Sequence, residues 1–398
     1  MKQLLDYCEA HLPDTLDAIA SLVTLESPST DKAAVDRCGI EVARHLRALG
    51  AEVELVAQRE RGDHIRATLP ANGPALSERR ESTGPALSER RESKGVMLLG
   101  HFDTVWPVGT LERMPLTRDG DRLRGPGTFD MKAGIALAMA AIAALDATRT
   151  PRPPIRMVWT TDEEIGSATS RALVEREARD ALAVLVLEPA LPGGALKTAR
   201  KGCGEFHLTV HGIAAHAGLD PGKGASAIHE LAAQIATIER LQDLARGISV
   251  NVGIVSGGSR ANVVAEEARA VIDARSPTRA GADRVEAAIR GLHPTRPGTR
   301  LTVEGGFDRP PMERSQAIAG LFARASAVAA ALGLELREGS AGGGSDGNFT
   351  AALGAPTLDG LGAIGDGAHA AHEHVDIPSL AWRAALLAGI LTSLSSSA

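Results

Sequence analysis

The chain has 398 residues, of which 44% are hydrophobic, 23% charged and 3% aromatic, and its formal net charge is -6. This length fits two domains, or one large domain with an insertion, and the composition is that of a globular protein. A slightly acidic chain with few aromatic residues lacks the basic and stacking surfaces of nucleic-acid-binding proteins, so we expect a small molecule or a short peptide as the partner.

The cysteines and the N-terminal segment indicate the compartment. Cys8, Cys38 and Cys203 are widely spaced and form no Cys-x-x-Cys pair, so neither a disulfide framework nor a thiolate metal site is indicated. The first residues carry acids every few positions, where a signal peptide needs an apolar run, and no apolar stretch reaches the length of a membrane span. We therefore expect a cytoplasmic protein that does not bind membranes.

Apolar runs alternate with helical patterns in the first half of the chain. The runs VMLLG, IRMVW and AVLVLE begin at residues 96, 155 and 183, and the helical stretches cover residues 133–145 and 168–182. This alternation predicts an α/β sheet with helices on its faces.

The pattern changes from about residue 202. Four strand-like runs, EFHLTVHG, ISVNVGIVSG, EARAVIDA and RLTVEG, enclose helical stretches at 224–245 and near 281–292. This order predicts an inserted α+β unit of the split βαβ type. We expect a hinge at Arg309-Pro310-Pro311 and domain limits at 1–201, 202–306 and 307–398, with the first and third parts forming one α/β domain.

The sequence GPALSERRES occurs twice, at residues 73–82 and 84–93. Two copies are too few to build a solenoid. We interpret the repeat as a duplicated surface loop between two strands, without a catalytic part.

The first candidate site residues directly follow the strand VMLLG. Side chains alternate along a strand, so His101 and Asp103 of GHFDTV point to the same face. A carboxylate at this spacing can accept the second ring N–H of a metal-bound imidazole. The alternative is a structural hydrogen bond between the two residues without a metal.

A loop rich in glycine and proline, RGPGTFDMKAG, places Asp130 just before an alanine-rich helix. One interpretation is that Asp130 caps this helix. The other is that its two oxygens bridge two cations.

Acidic residues follow the next two apolar strands. MVWTTDEEIGS contains Asp162, Glu163 and Glu164, and AVLVLEPA contains Glu188. Clustered like charges suggest that one carboxylate binds a metal and its neighbour is a general base, unless the segment is a solvated helix start. Ligands bind beyond the carboxyl ends of strands in open α/β sheets. We therefore expect two imidazoles, from His101 and one late histidine, and three carboxylates, from Glu163, Glu164 and Glu188, to form a ligand set suited to two zinc ions about 3.5 to 4 Å apart.

These motifs together resemble the M20 metallopeptidases and amidohydrolases, most closely the glutamate carboxypeptidase branch. The resemblance covers nearly the whole chain and rests on GHFDTVWPVGTL, RGPGTFDMKAG, TTDEEIGS, LEPA, GIAAHAG, and GGGSDGN with GAHAAHEHVDI. It implies a zinc-exopeptidase-like α/β catalytic domain with a mixed sheet and helices on both faces. It also implies an inserted, ferredoxin-like α+β lid domain through which two subunits form a homodimer.

The resemblance also implies a role for each site residue. Asp103 would orient the imidazole of His101, and Glu163 would be the general base. Asp130 would bridge the two metals, and a cis peptide would follow it. Two Zn²⁺ ions per subunit, or Co²⁺ or Mn²⁺, would be bound by His101, Asp130, Glu164, Glu188 and His369.

The choice among three late histidines, His369, His372 and His374, also depends on the resemblance. The family's histidine is followed shortly by a glutamate before a Val-Asp-Ile-like segment, and His369 with Glu373 fits this pattern. His372 is the alternative ligand, and we interpret His374 as a surface residue.

Three residues of the inserted domain also match the family. His216 would reach the active site of the partner subunit and help to stabilise the oxyanion. Asn262 would hold a turn, or donate to the substrate or its oxyanion. Arg275 offers a bidentate fork for the C-terminal carboxylate of a substrate, and its alternative is a surface ion pair with a local acid.

The run SAGGGSDGNFTAALG at residues 340–354 lacks the Gly-Lys-Ser/Thr end of a phosphate loop. We expect Gly344 and Ser345 to help present backbone N–H groups and a helix N-terminus to the substrate's carboxylate. Ordinary turn chemistry is the alternative for Ser345 and Asp346.

The expected function is metal-assisted hydrolysis of the amide bond in N-acyl or peptidyl amino acids with a free C-terminal carboxylate, including compounds that end in glutamate. One alternative is a deacylase of N-acetyl or N-succinyl amino acids. The other is a metal-stabilised binding protein without turnover, and Glu163 speaks against it because a purely structural metal site needs no spare carboxylate.

Overall fold

The computed structural model describes residues 1–72 and 95–395, so the GPALSERRES repeat lies outside the described residues. The chain divides into two compact units. The first unit comprises Met1–Thr198, Arg314–Gly339 and Ser345–Ala398, and the second comprises Ala199–Glu313 and Ser340–Gly344. The domain limits that we expect from the sequence stay a prediction.

Ten α-helices are found in the described residues. They are α1 Lys2–Ala10, α2 Leu12–Val23, α3 Lys32–Ala48, α4 Ala133–Ala147, α5 Arg171–Ala178, α6 Ala227–Glu239, α7 Arg279–Arg290, α8 Gln316–Ala331, α9 Gly347–Ala352 and α10 Ile377–Ser395.

The same residues contain sixteen strands. They are β1 Glu52–Val56, β2 His64–Leu69, β3 Val96–His101, β4 Thr117–Asp119, β5 Arg122–Arg124, β6 Ile155–Thr160, β7 Ala183–Val186, β8 Leu196–Arg200, β9 Gly202–His211, β10 Ser249–Gly257, β11 Glu267–Ser276, β12 Arg300–Arg309, β13 Glu338–Ala341, β14 Thr357–Leu358, β15 Gly365–Asp366 and β16 His374–Asp376.

A six-stranded mixed sheet forms the centre of the first unit. Its strand order is β1-β2-β6-β3-β7-β14. Strands β6, β3, β7 and β14 run parallel, and β1 and β2 are antiparallel to their neighbours. The parallel strands are continuous apolar runs because helices cover both faces of the sheet. The predicted α/β fold with a mixed sheet is confirmed.

Alternation along β3 shows how the two faces are filled. Val96 and Leu98 belong to a large core that includes residues of α4 and α10. Met97 and Leu99 belong to a smaller core with Leu173 of α5 and other residues. Successive side chains of a strand point to opposite faces, so one strand contributes to both cores.

Helix α4 lies very close to the end of β7. A Cβ atom placed on Gly134 would lie 2.1 Å from the carbonyl oxygen of Leu187. Only a residue without a side chain permits this approach. The contact brings the start of α4, which directly follows the Asp130 loop, beside the segment that carries Glu188.

Two apolar segments, Thr128–Ala147 and Ile377–Ser395, are long enough to cross a membrane. Our expectation that no stretch has this length was therefore wrong. The most apolar windows of the two segments are 83% and 78% buried inside the protein. Core helices of soluble proteins have the same property, because a helix buried on all sides is apolar all round.

The second unit contains an antiparallel sheet of order β10-β11-β9-β12. With α6 after β9 and α7 after β11, this is the ferredoxin-like arrangement that the sequence predicts. Arg309, which we expected in a hinge, is instead the last residue of β12, where it pairs with Cys203.

Candidate metal centre

Three neighbouring parallel strands end at the same edge of the sheet. β3 ends at His101, and β6 is followed by the short turn Glu163–Ile165. β7 is followed by Leu187 and Glu188. Because the strands are parallel, the side chains beyond their carboxyl ends lie together.

The Asp130 loop reaches this edge through a tight turn. Gly127 has φ 71°, and a Cβ on it would lie 2.6 Å from Cγ2 of Thr104. The peptide bond between Asp130 and Met131 is cis, as the resemblance implies.

The first group of candidate ligands surrounds His101. Its Nε2 lies 3.3 Å from Oδ1 of Asp130 and 3.4 Å from Oε1 of Glu188. The three side chains offer one imidazole nitrogen and two carboxylate oxygens, all within 4.8 Å of one another.

The second group surrounds His369. Its Nε2 lies 3.0 Å from Oε2 of Glu164 and 3.5 Å from Oδ2 of Asp130. These three ligand atoms also lie within 4.8 Å of one another. Asp130 therefore belongs to both groups and turns a different oxygen to each imidazole.

The other two late histidines have different surroundings. His372 is exposed, and its Nε2 lies 3.9 Å from Oδ2 of Asp366. His374 is 6% exposed, so our interpretation of it as a surface residue was wrong. It starts β16, whose pairing with β5 places it opposite Arg124 inside a small sheet.

The donor set fits a pair of divalent cations. Imidazole nitrogens and carboxylate oxygens are ligands for zinc and similar ions. The three carboxylates would be costly neighbours in a largely buried site unless cations neutralise them. Asp130 is present in both groups and offers one oxygen to each, as a carboxylate shared between two cations would.

The carboxylates strongly affect the two imidazoles. Burial opposes the imidazolium form of His101, but hydrogen bonds to Asp103, Asp130 and Glu188 raise its pKa well above the usual value. Hydrogen bonds to Asp130 and Glu164 raise the pKa of His369 to about 10. The neighbouring carboxylates thus favour positive charge at both rings, as they would favour a bound cation.

The carboxylates themselves shift in opposite directions. Burial opposes ionisation of Asp130, but hydrogen bonds from His101 and His369 outweigh it and lower its pKa. Burial raises the pKa of Glu164, and the bond to His369 reduces this effect.

Asp103 lies directly behind His101. Its Oδ1 lies 3.3 Å from Nδ1 of His101, and Oδ2 accepts hydrogen bonds from Oγ of Ser29 at 2.7 Å and from the backbone N–H of Glu164 at 3.3 Å. Nδ1 of His101 is also 3.0 Å from the carbonyl oxygen of Asp103. These contacts hold the ring with Nε2 toward Asp130 and Glu188.

Glu163 lies half-buried on the same turn, directly before Glu164. The turn is anchored at both ends by buried carboxylates. Asp162 accepts hydrogen bonds from N and Oγ1 of Thr169, and Asp346 accepts from Oγ1 of Thr160 and Oγ of Ser167.

Glu373 is a buried carboxylate beside the site. Our interpretation of the sequence used this residue only to select His369 by its spacing. Its oxygens accept hydrogen bonds from the backbone N–H groups of Gly127, Phe129 and Asp130 and from Nε1 of Trp106. Burial raises its pKa, and these donors oppose the shift. Its position four residues after His369 was the available signal, but no pattern in the sequence indicates its partners.

The structure brings together two of the three candidate residues of the second unit. His216 pairs with Val263 as an isolated bridge, and the N–H of Ala217 donates to the carbonyl of Asn262. Nδ1 of His216 accepts hydrogen bonds from the N–H groups of Gly218 and Leu219, each at 3.1 Å. Because Nδ1 is an acceptor, the ring proton lies on Nε2.

Arg275 lies at the other end of β11. Its guanidinium forms a bidentate ion pair with Asp273, and Nη1 contacts Sγ of Cys203. In the sheet, Cys203 pairs with Arg275 on one side and with Arg309 on the other. This row of three residues, the Arg-Cys-Arg row, was missed from the sequence because strand register is a tertiary property.

Gly344 and Ser345 form hydrogen bonds with other residues of the protein. The carbonyl of Gly344 accepts a hydrogen bond from Nη1 of Arg200 at 3.0 Å. Ser345 is buried, and its Oγ donates to Oδ2 of Asp359 at 2.7 Å and accepts from the N–H of Gly347.

Comparisons with known proteins agree with this arrangement. The family model for peptidase family M20/M25/M40 matches residues 97–393, more than half of the chain. Carboxypeptidase G2 from Pseudomonas sp. (strain RS-16) is 29% identical over 308 residues, which cover 75% of this chain and 74% of the relative. A putative succinyl-diaminopimelate desuccinylase DapE from Mycobacterium tuberculosis (strain CDC 1551 / Oshkosh) is 28% identical over 305 residues, covering 73% and 75%.

Solved structures show the same fold. Aminopeptidase PepT from Bacillus cereus superposes with a TM-score of 0.76 at 22% identity, covering 96% of this chain and 98% of the other. The YXEP protein of Bacillus subtilis, described as a dinuclear metal binding peptidase of the M20 family, superposes with a TM-score of 0.67 at 15% identity, covering 98% and 100%. The chain therefore belongs to peptidase family M20/M25/M40, as a hydrolase of the metallopeptidase class close to the glutamate carboxypeptidase branch.

Proposed function

We propose that this protein is a di-zinc hydrolase that cleaves the amide bond of N-acyl or peptidyl amino acids with a free C-terminal carboxylate. One observation carries the proposal: Asp130 belongs to two ligand groups, each completed by one imidazole and one further carboxylate. A structural zinc site uses one closed set of four ligands, whereas a shared carboxylate is what a two-metal hydrolytic site requires.

The proposed ligands are His101, Asp130 and Glu188 for one ion and Asp130, Glu164 and His369 for the other. Co²⁺ or Mn²⁺ are alternatives to Zn²⁺ because the donor set contains no sulfur. When bound, such ions supply Lewis acidity that polarises a carbonyl oxygen and lowers the pKa of water. Asp103 holds the imidazole of His101 in the orientation that this requires.

Glu163 is the proposed general base. It takes a proton from the attacking water and passes it to the nitrogen of the leaving amine when the carbon–nitrogen bond breaks. Its neighbour Glu164 has Oε2 3.0 Å from Nε2 of His369, which supports the role of a metal ligand for Glu164 instead. The two adjacent acids of the turn thus take different roles.

His216 is the proposed donor to the oxyanion, acting in a dimer as the resemblance implies. Its exposed ring turns Nδ1 to two backbone N–H groups, so Nε2–H is the hydrogen-bond donor that it can offer. Asn262 is held beside it by the bond between Ala217 N–H and the Asn262 carbonyl, and its amide is a second proposed donor.

The Arg-Cys-Arg row supports recognition of a carboxylate. Arg275 uses one edge of its guanidinium for Asp273, yet each Nη has two hydrogens, so donors remain for a substrate. Arg309 adds a second positive charge across Cys203. We propose that Arg275 binds the C-terminal carboxylate, with Gly344 and Ser345 as further substrate-binding residues. A preference for glutamate rests on the resemblance to the glutamate carboxypeptidase branch.

Deacylation of N-acetyl or N-succinyl amino acids is the second candidate function. The similarity to a putative succinyl-diaminopimelate desuccinylase favours it. The carboxylate site serves both candidates, so it does not separate them.

We also propose a homodimer that forms through the second unit. β10 is an edge strand of the sheet, and Ile254 and Val255 on it are 63% and 56% exposed. An edge strand can pair with the same edge of a second copy, which would place further strands beside these side chains. The three cysteines are free thiols, which suits the proposed cytoplasmic location.

The test combines metal analysis with hydrolysis assays on a panel of N-acyl and peptidyl amino acids. We expect bound or activating divalent ions, and we expect Glu163→Gln to lower kcat by about 10² to 10⁴-fold with metal content unchanged. The exposed Glu9 of α1 provides the matched control, since Glu9→Gln makes the same chemical change at a position that has no proposed role in the site. Absence of any bound or activating metal would refute the proposal, while full activity of Glu163→Gln would remove only the assignment of Glu163 as the base.

A further inference from the structure

Glu373 lies where three metal-ligand segments meet. It follows His369 in the chain, it accepts from Trp106 in the segment after His101, and it accepts from the loop that ends at Asp130. Its backbone carbonyl also accepts from the N–H of Gly125, at the start of that loop. One buried residue thus contacts both the beginning and the end of the Asp130 loop.

The carboxylate of Glu373 is fully used. Oε1 accepts from the N–H groups of Phe129 and Asp130 at 2.9 and 3.1 Å. Oε2 accepts from the N–H of Gly127 at 2.9 Å and from Nε1 of Trp106 at 2.8 Å. A carboxylate has about four lone-pair sites, and each oxygen here receives two donors.

No neutral side chain of the same shape reproduces this arrangement. Glutamine has one carbonyl oxygen and one NH₂ group, so only two of the four donors would keep an acceptor. The NH₂ group would face the other two N–H donors, and buried donors without acceptors are destabilising. A charged acceptor also forms stronger hydrogen bonds than a neutral one.

We infer that Glu373 is a positioning residue, which holds the bridging carboxylate of Asp130 in register with His369 and thereby sets the affinity of both metal positions. The inference rests on the proposed metal centre. The backbone N–H of Asp130 is itself one of the four donors, so a shift of this bond moves the residue whose two oxygens face both imidazoles.

Glu230 provides a matched control. It is a fully buried carboxylate of the second unit that also accepts four hydrogen bonds, from Nε2 of Gln234, N and Oγ1 of Thr295 and N of Arg296. None of the proposed metal ligands belongs to that unit. Glu230→Gln therefore removes the same kind of buried acceptor, with an effect on folding but without a metal ligand attached to it.

The experiment measures the affinity of the metal-free protein for Zn²⁺ by competition with a chelating indicator, together with thermal melts in the absence of metal. We expect both Gln variants to melt at lower temperature than the wild type. Only Glu373→Gln should bind zinc more weakly, by about 10- to 100-fold at both positions, as for other residues that orient metal ligands. Glu373→Asp keeps the charge, but its side chain is too short to reach all four donors. We expect its zinc affinity to lie between those of the wild type and Glu373→Gln.

The outcomes separate the two proposals. A wild-type protein that binds no zinc overturns the metal centre, and the role of Glu373 with it. If the wild type binds zinc and Glu373→Gln binds it equally well, the role of Glu373 alone is overturned. The same holds if Glu230→Gln loses as much zinc affinity as Glu373→Gln does. If Glu373→Gln does not fold, Glu373→Asp decides, because wild-type affinity in that variant contradicts the inference.

Discussion

Nε2 of His369 lies 3.5 Å from Oδ2 of Asp130, although the two residues come from widely separated segments of the chain. Asp130 turns its other oxygen to His101. A single carboxylate therefore belongs to both groups of candidate ligands, and the predicted effects of substitutions in the site follow from this relationship.

Replacement of Asp130 should affect both metal positions. Asp130→Asn keeps the shape of the side chain but removes its charge and one of its two oxygens, so we expect loss of both ions and of hydrolysis. Glu188→Gln changes a ligand of one group only, and we expect it to weaken one position. Metal content per chain, measured by mass spectrometry after dialysis, distinguishes the two results. Retention of one full equivalent in Asp130→Asn would argue against a bridging role.

His369 and His372 form a natural pair for comparison. His369→Gln removes a candidate ligand, and we expect it to reduce metal affinity and hydrolysis by at least about 100-fold. His372→Gln changes an exposed ring beside Asp366, and both quantities should stay within about twofold of the wild type. The opposite ranking in a chelator competition assay would transfer the ligand role to His372.

Gly134 should not tolerate a methyl group. Its Cβ would lie 2.1 Å from the backbone oxygen of Leu187, which cannot move without shifting the strand end before Glu188. We expect Gly134→Ala to lower the free energy of unfolding by about 2 to 3 kcal/mol. Gly320 lies within α8 on its exposed side, and no heavy atom lies within 4 Å of a Cβ placed on it. Gly320→Ala should therefore raise stability by about 0.5 to 1 kcal/mol. Urea denaturation of both variants measures the two changes in the free energy of unfolding. Equal changes in the two variants would refute the prediction.

His64 should make stability depend on pH. Burial lowers the pKa of its ring, and nearby Asp162, Asp103 and Asp346 only partly offset this effect. The unfolded chain takes up a proton below about pH 6.5, whereas the folded chain does so only at lower pH. The free energy of unfolding should therefore fall as the pH decreases from about 6.5 through the lowered pKa. In His64→Gln the free energy of unfolding should fall less steeply as the pH decreases. If denaturation curves measured from pH 7 to 5 give the same pH dependence for the variant and the wild type, other groups are responsible.

The edge strand β10 should control association. Ile254→Asp places a charge on this edge, and charges on an edge strand oppose pairing with another edge. We expect the variant to sediment as a monomer where the wild type is a dimer. Leu244 is 68% exposed in the same unit but lies outside the strands, so Leu244→Asp should remain dimeric. A dimeric Ile254→Asp would exclude this edge as the interface.

Local sequence patterns were sufficient for much of the fold. The apolar runs at 96, 155 and 183 became β3, β6 and β7, because buried parallel strands need such runs whatever their neighbours are. The order of strands and helices after residue 202 was also enough for the ferredoxin-like sheet. Boundaries were less well predicted: the helical pattern at 168–182 became the shorter α5, Arg171–Ala178, and Arg309 joined β12 instead of a hinge.

The sequence by itself determined which residue types stand at the ends of which strands, and hence the chemistry that is available at that edge of the sheet. Only the tertiary structure decided which late histidine faces Asp130, that Glu373 collects its donors from two other segments, and that Cys203 lies between Arg275 and Arg309. The physical reason is that hydrophobic periodicity and turn chemistry act over a few residues, whereas these contacts depend on strand register and on the packing of segments that are distant in the chain.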